Sequence, residues 1–484
     1  MNKKIISIVF LIFLNLNIFS VNWNVYTSNN YLRLSDSVVR DIDKDGIDEI
    51  IVSSFTFSGK FIDVYKIDNG NLKVIDKLKV PERTIFFDVG DLDNDGSTDI
   101  VFLTSNGLYY RNITENKPLR VINSIFSEIV VAQPELLKSV TMIIDLNGDG
   151  KNELIIENVR AIEIYETASF TKKGSINLET VLEFSMVPGQ FYPQYIFYTL
   201  PIILVDDLDN DNKKEIITKF PHSVNIYGQT KNNGWYLKSI LKMKQDNVYF
   251  LSNSFVKFSF PVISDIDNDK IKEIVVSSAN LDLPRIRFEA VGDLFYLDNN
   301  VYKPNKNKQI VIKGIPLNLP YFITLNNQKY KDFLCPVIPF NLISIFGLLS
   351  GGGTINVPFM YYEQKEEKFD MIWGKKMFEI PFRIENITSF VEALPFDTFK
   401  EGEFPDFYYF IHNFKYKNAD ILYYYYDQVK KSYQQQVIQT LSLPYYTPEL
   451  PATLKLGKFS KNSKKDVLFI IHRNFYVIAR DNAD

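Results

Sequence analysis

Residues 91–102 read DLDNDGSTDIVF. Acidic side chains alternate at positions 1, 3 and 5, glycine follows, a further acid stands at position 9, and an apolar run takes over. That is an acidic loop feeding a β-strand. The same grammar recurs as DIDKDGIDEIIV from Asp41, DLNGDGKNELII from Asp145, DLDNDNKKEIIT from Asp207 and DIDNDKIKEIVV from Asp265. In chain order the leading aspartates are 50, 54, 62 and 58 residues apart. A fixed period of this length is the mark of a repeat architecture.

Around each loop the chain reads as short strands. An apolar run enters (Val38-Val39; Ile263) and an Ile/Val run leaves (Ile50-Ile51-Val52). A second strand with an aromatic follows, as in Phe61 to Tyr65, Ala161 to Tyr165 and Ser223 to Tyr227. Then comes a turn such as Asp68-Asn69-Gly70 or Asn232-Asn233-Gly234 and a closing run such as Leu72 to Ile75. Asn-Gly turns between such runs signal hairpins. Helical periodicity is hard to find over residues 31–280. Four antiparallel strands per repeat predict an all-β fold, a β-propeller.

Weaker copies continue downstream at residues 324–332, 412–420 and 458–466, each keeping a last acid before a strand but losing the earlier carboxylates. Closing acids then fall at 49, 99, 153, 215, 273, 332, 420 and 466. The count predicts eight four-stranded blades, with seven as the alternative. The 88-residue interval from 332 to 420 suggests an insertion around 336–410, packed on a propeller face, with degenerate blade structure as the other reading. Only three strands fit the last repeat, so Trp23 to Thr27 is expected to supply its fourth and close the ring without an exposed sheet edge.

The loop spacing points to a metal. Oxygen donors at positions 1, 3, 5 and 9, with a carbonyl at position 7, can wrap one hard cation, and calcium takes six to eight such oxygens. The expected ligands are Asp41, Asp43, Asp45 and Glu49; Asp91, Asp93, Asp95 and Asp99; Asp145, Asn147, Asp149 and Glu153; Asp207, Asp209, Asp211 and Glu215; Asp265, Asp267, Asp269 and Glu273. These sets predict about five structural Ca²⁺ ions. Gly46, Gly96 and Gly150 at position 6 permit a left-handed turn, Asn212 tolerates one, and Lys270 does so less readily. An EF-hand is excluded, since its position 12 must be a glutamate and here that position is Val52, Phe102, Ile156, Thr218 or Val276.

These repeats resemble the FG-GAP/VCBS family, which includes integrin α-subunit propellers and many secreted bacterial proteins; Gly90 to Gly96 (GDLDNDG) is the nearest match to its loop core. The match covers residues 36–280 well and 320–484 weakly. The resemblance implies a β-propeller with calcium in the loop between the first two strands of a blade. It implies a scaffold, and fold alone does not assign a function.

Composition narrows the rest. The chain has 484 residues, 46% hydrophobic and 15% aromatic, with net charge −4 and one cysteine. It can fill a large core, it is not disordered, and it is no disulfide scaffold. No basic excess suits nucleic acid. Residues 1–20 have two lysines before the ten-residue apolar stretch Ile5 to Leu14, which is short for a membrane span and reads as a secretory signal peptide. The mature domain, 21–484, is then expected outside the cytoplasm, in the periplasm or at the cell surface, without a stable membrane span. Its charge would be −6, moving to +4 with five calcium ions.

No catalytic motif emerges: there is no HExxH, CxxC, Walker loop or G-x-S-x-G. Cys335, His222, His412 and His472 read as structural, Gly351-Gly352-Gly353 as a loop, and Tyr423 to Tyr426 as packing between blades. Asn112 and Asn386 open glycosylation sequons. The expectation is a binding module for a protein or glycan ligand, in adhesion or carbohydrate recognition. The alternative is a carbohydrate-active enzyme, such as a polysaccharide lyase, on a calcium-stabilised propeller.

Overall fold

The computed structural model describes residues 22–28, 33–113, 115, 117–129, 137–178, 181–185, 195–199, 202–220, 223–230, 234–242, 261–282, 287–316, 321–323, 330–338, 354–363, 375–383, 394–395, 404–413, 418–442, 453–460, 466–471 and 474–481. Within them the chain forms eight blades in a ring, each of four antiparallel strands, with no helix. Blade 1 comprises Arg33–Arg40, Glu49–Thr56, Gly59–Asp68 and Asn71–Lys79, from the inner strand outward. Blades 2 to 5 begin their second strands at Asp99, Glu153, Glu215 and Glu273, and blades 6 to 8 at Asp332, Phe407 and Asp466.

Eight hydrophobic clusters hold the ring, one per blade interface. The second strand of each blade is buried on both sides, so successive side chains serve opposite neighbours. Ile50 and Val52 pack with Phe475 and Val477 of blade 8, while Ile51 between them packs with Phe87 and Ile100 of blade 2. Tyr423 joins the interface of blades 7 and 8, and Tyr424 that of blades 6 and 7, as the tyrosine run predicts. Cys335 is fully buried between blades 5 and 6.

Closure follows the predicted route. Asn22–Ser28 pairs antiparallel with Asn474–Asp481 as the outer strand of blade 8. The seam with blade 1 is tied by Asp48 N donating to Lys458 O (2.7 Å) and Lys458 N to Asp48 Oδ2 (2.7 Å). Gly457 lets the inner strand of blade 8 approach: a Cβ there would lie 2.4 Å from Val39 Cγ1.

The structure adds to the repeat pattern and corrects it once. Described residues within 336–410 include blade strands: Thr354–Tyr362 and Lys375–Arg383 complete blade 6, and Leu394–Pro395 opens blade 7, while the rest of the expected insertion lies largely outside the described residues. The seventh closing acid is Asp406, directly before Phe407–Asn413; Asp420 lies on the third strand, opposite Ile411. Both stretches put an acid before an apolar aromatic run, and only pairing tells them apart. The long interval between Asp145 and Asp207 holds a separate hairpin, Val181–Ser185 with Tyr195–Thr199.

Candidate metal centres

Every acidic loop joins the inner strand of its blade to the second, and all five fold alike. The amide at position 6 donates to the carboxylate at position 1: Gly46 to Asp41, Gly96 to Asp91, Gly150 to Asp145 (each 2.9 Å), Asn212 to Asp207 (3.0 Å) and Lys270 to Asp265 (3.1 Å). Position 7 likewise donates to position 5, as from Ile47 to Asp45 and Ser97 to Asp95. Position 6 is left-handed throughout, Lys270 included (φ 75°). So is position 4: Lys44, Asn94, Gly148, Asn210 and Asn268.

The closing acid divides its two oxygens. One accepts the amide seven residues back, as in Ile42 to Glu49 (2.9 Å), Leu92 to Asp99 (3.0 Å), Leu146 to Glu153 (2.8 Å), Leu208 to Glu215 (3.0 Å) and Ile266 to Glu273 (2.7 Å). Blade 8 keeps this lock, Phe459 to Asp466 (2.9 Å), without the earlier carboxylates. The lock therefore belongs to the turn. The other oxygen turns towards the loop centre.

Four loops bring carboxylate oxygens within 4.8 Å of one another: Asp41, Asp43 and Asp45; Asp91, Asp93 and Asp99; Asp207, Asp209 and Glu215; Asp265, Asp267 and Asp269. Buried oxygens in these sets lack a hydrogen-bond partner, namely one each of Asp41, Asp93, Asp207, Asp209 and Asp267. Clustered hard oxygens with unsatisfied lone pairs fit a divalent cation. The third loop is drawn differently: Asn147 Nδ2 donates to Asp149 (3.2 Å) and Glu153 Oε1 (3.0 Å).

Burial, aided by neighbouring carboxylates, raises the acids. Asp99 is pushed up to about 6 and Glu273 to about 7, with Asp93 and Asp267 also raised. An ion would reverse the sign of that field.

Two lysines that loop spacing does not reveal reach into these centres. Lys66, on the third strand of blade 1, contacts Asp43 (2.5 Å), Asp45 (2.9 Å) and Glu49 (2.8 Å). Lys238, on the outer strand of blade 4 (Trp235–Lys242), contacts Asp209 (2.6 Å) and Glu215 (2.7 Å). Burial works against each charge, and the carboxylates outweigh it, raising both pKa values. These lysines stand 17 and 23 residues past their closing acids on different strands, so no motif betrays them.

Two further features lie away from the loops. A groove of 490 Å³ runs between the outer strands of blades 3 (Thr171–Asn177) and 4, lined by Trp235, Tyr236, Asn177, Asn225, Ser175 and Ser223. Trp235 lies across Gly174, where a Cβ would sit 2.9 Å from its ring. A cavity of 380 Å³ between first and second strands of blades 2 to 4 contains Glu157, whose Oε1 has no partner and whose carboxyl burial pushes up to about 7. Burial also raises the Cys335 thiol. Residues 1–20, His222, His472, Gly351 to Gly353 and Asn386 lie outside the described residues.

No protein-family model matches the chain, and no curated protein matches it. Solved structures do align. A BBS1N structure in complex with ARL6DN matches at 8% identity and TM-score 0.41, over 95% of this chain and 97% of that one. A lectin of Agrocybe aegerita recognising non-reducing terminal N-acetylglucosamine matches at 11% and 0.38, over 72% and 81%. The exotype rhamnogalacturonan lyase YesX matches at 12% and 0.38, over 94% and 76%. No helix of the described residues is long and apolar enough to cross a membrane.

Proposed function

We propose that this chain is a secreted, calcium-stabilised propeller of FG-GAP/VCBS type that binds glycans. The observation that carries the glycan reading is the groove between blades 3 and 4. An indole and a phenol stand there beside two carboxamides and two hydroxyls. Sugars need that pairing: aromatic faces for their C–H surfaces and amides for their hydroxyls. The calcium reading rests most on the clustered carboxylates of blades 2 and 5, where Asp93 and Asp267 keep an unsatisfied buried oxygen and, among the described residues, no lysine contacts the set. Such ions would hold the loops of a rigid disc, and binding residues ride well on rigid scaffolds.

A glycan array probed with the mature chain in calcium buffer tests this, followed by titration of Trp235→Ala. The expected result is an affinity loss of about tenfold or more, measured at a temperature where the variant, which loses the indole's packing on the core of blades 3 and 4, is still folded. Binding unchanged by the substitution, or no glycan bound, overturns the assignment.

Glu157 favours the second reading, an enzyme on the same scaffold. A carboxyl with one unpartnered oxygen, pushed up to about 7 by burial and lining a cavity, is suited to general acid–base work. The described residues place no second acid or base against it in that cavity, so binding remains the stronger proposal.

A further inference from the structure

The five acidic loops share a backbone but not a centre. We infer that loops 1 and 4 carry their own cation, the ammonium groups of Lys66 and Lys238, in the place of a metal, and that divalent ions bind only the loops of blades 2, 3 and 5. The inference rests on the calcium reading above and divides it.

Geometry makes lysine and ion exclusive. Calcium would need the loop oxygens at about 2.3–2.6 Å from a central point. In blade 1 three carboxylates already converge on one nitrogen at 2.5–2.9 Å. In blade 4 the ammonium takes Asp209 and the inward oxygen of Glu215. That inward oxygen is where the loops diverge. It meets an ammonium in blades 1 and 4, from Lys66 and Lys238, whereas in blade 3 it meets only the neutral Asn147 amide, which adds no charge and whose oxygen can turn to an ion instead. Among the described residues no side chain donates to it on Asp99 or Glu273.

The register explains the choice. On the third strand one position faces the closing acid. In blade 1 that position is Lys66, one step beyond the Ile50–Tyr65 pair; in blade 2 it is Asn112 and in blade 3 Glu166. In blade 4 it is Gly228, one step beyond Ile216–Tyr227. With no side chain there, Lys238 reaches past from the outer strand: a Cβ on Gly228 would touch Lys238 Cδ at 3.4 Å. In blade 5 the position is Tyr296, one step beyond Ile274–Phe295. Glycine and a lysine on the next strand thus rebuild what a single lysine does in blade 1.

The two internal cations differ in how readily they yield. The Lys238 side chain is 2% exposed and expelling it would strand a buried ammonium. Lys66 is 16% exposed. Arg120 is 62% exposed, lies over the Tyr110 ring and comes no nearer than 3.8 Å to Asp93 in blade 2, so it does not close that loop as Lys66 closes loop 1. Loop 1 also abuts the seam with blade 8, where Asp48 binds Lys458. The seam is therefore tied by contacts that need no metal.

Counting ions tests the inference. The mature chain, Lys66→Met, Lys238→Met and the double variant are equilibrated in calcium, and bound ions are measured by elemental analysis. The expected counts are no more than three for the natural chain, one more for each single variant and two more for the double. In EGTA each variant should melt below the natural chain, and calcium should restore it. Five ions on the natural chain, or no gain in the variants, overturns the inference while leaving the calcium reading intact. No ions on any chain overturns both. Should Lys238→Met not fold, the more exposed Lys66→Met carries the same comparison.

Discussion

Lys270 is the one position-6 residue whose side chain opposes its backbone, as Lys44 does at position 4. Position 6 is left-handed in all five loops, and glycine or asparagine fills it in the other four. A lysine there carries a steric cost of about 1 kcal/mol or more. Lys270→Gly is expected to raise the urea midpoint, by about 1 kcal/mol in free energy, whereas Gly96→Lys should lower it comparably. Glu157 gives the pH prediction. Burial alone lifts its carboxyl to about 7 from an ordinary 4.5, so the fold favours the neutral form. Its contribution is full below pH 4.5 and is lost as pH rises through 7. Glu157→Gln should therefore flatten the stability profile and gain on the order of 2 kcal/mol at pH 9. Denaturant melts from pH 4 to 9 read this directly, and a parallel, unflattened profile would refute it. Position 6 was legible in the sequence as glycine; position 4 was not, because Lys44 stands among asparagines there.

The strand is the unit at which the repeat closes on itself. Trp23 to Thr27 was recognisable as the missing fourth strand by counting, and it pairs with blade 8 in full register. Gly457 was not recognisable, since its backbone is ordinary and what forbids a side chain is the folded seam: a Cβ would meet Val39, more than 400 residues away, at 2.4 Å and the Phe459 ring at 2.7 Å. Gly457→Ala should cost about 1–3 kcal/mol by overpacking the seam. A thermal melt showing no loss would mean that the blades separate there more easily than the packing implies. Asp420 was misread for Asp406 for a related reason. Both precede strand-like runs, and pairing of Phe407–Asn413 with Asn418–Asp427 decides which begins the second strand.

At the scale of the molecule, the loops form a chain around one rim. Amides before the closing acids donate to the preceding blade: Lys214 to Leu146 and Lys272 to Leu208 (2.8 Å each), Lys331 to Ile266 (2.7 Å), and Asp48 back to Lys458. An ion ordering one loop thereby orders its neighbour. Three sites filled at about a hundred times their dissociation constants would add roughly 8 kcal/mol, or about 8 °C in a chain of this length. Calorimetry in calcium and in excess EGTA should show that rise, with blades 1 and 4 contributing least. An unchanged midpoint, with no bound ion, would reduce the loops to acidic turns.

By itself the sequence determined the repeat, the strand order within a blade, a count of eight with seven as the alternative, and the five acidic loops, because each is written in local spacing and short-range hairpins. Tertiary structure decided which loops have a lysine at their centre. Lys238 meets Glu215 only because Gly228 lies between two paired strands, and Trp235 faces a groove only because blades 3 and 4 stand side by side. Cross-strand neighbours are set by register and ring closure, and those belong to the assembled sheet rather than to any stretch of chain.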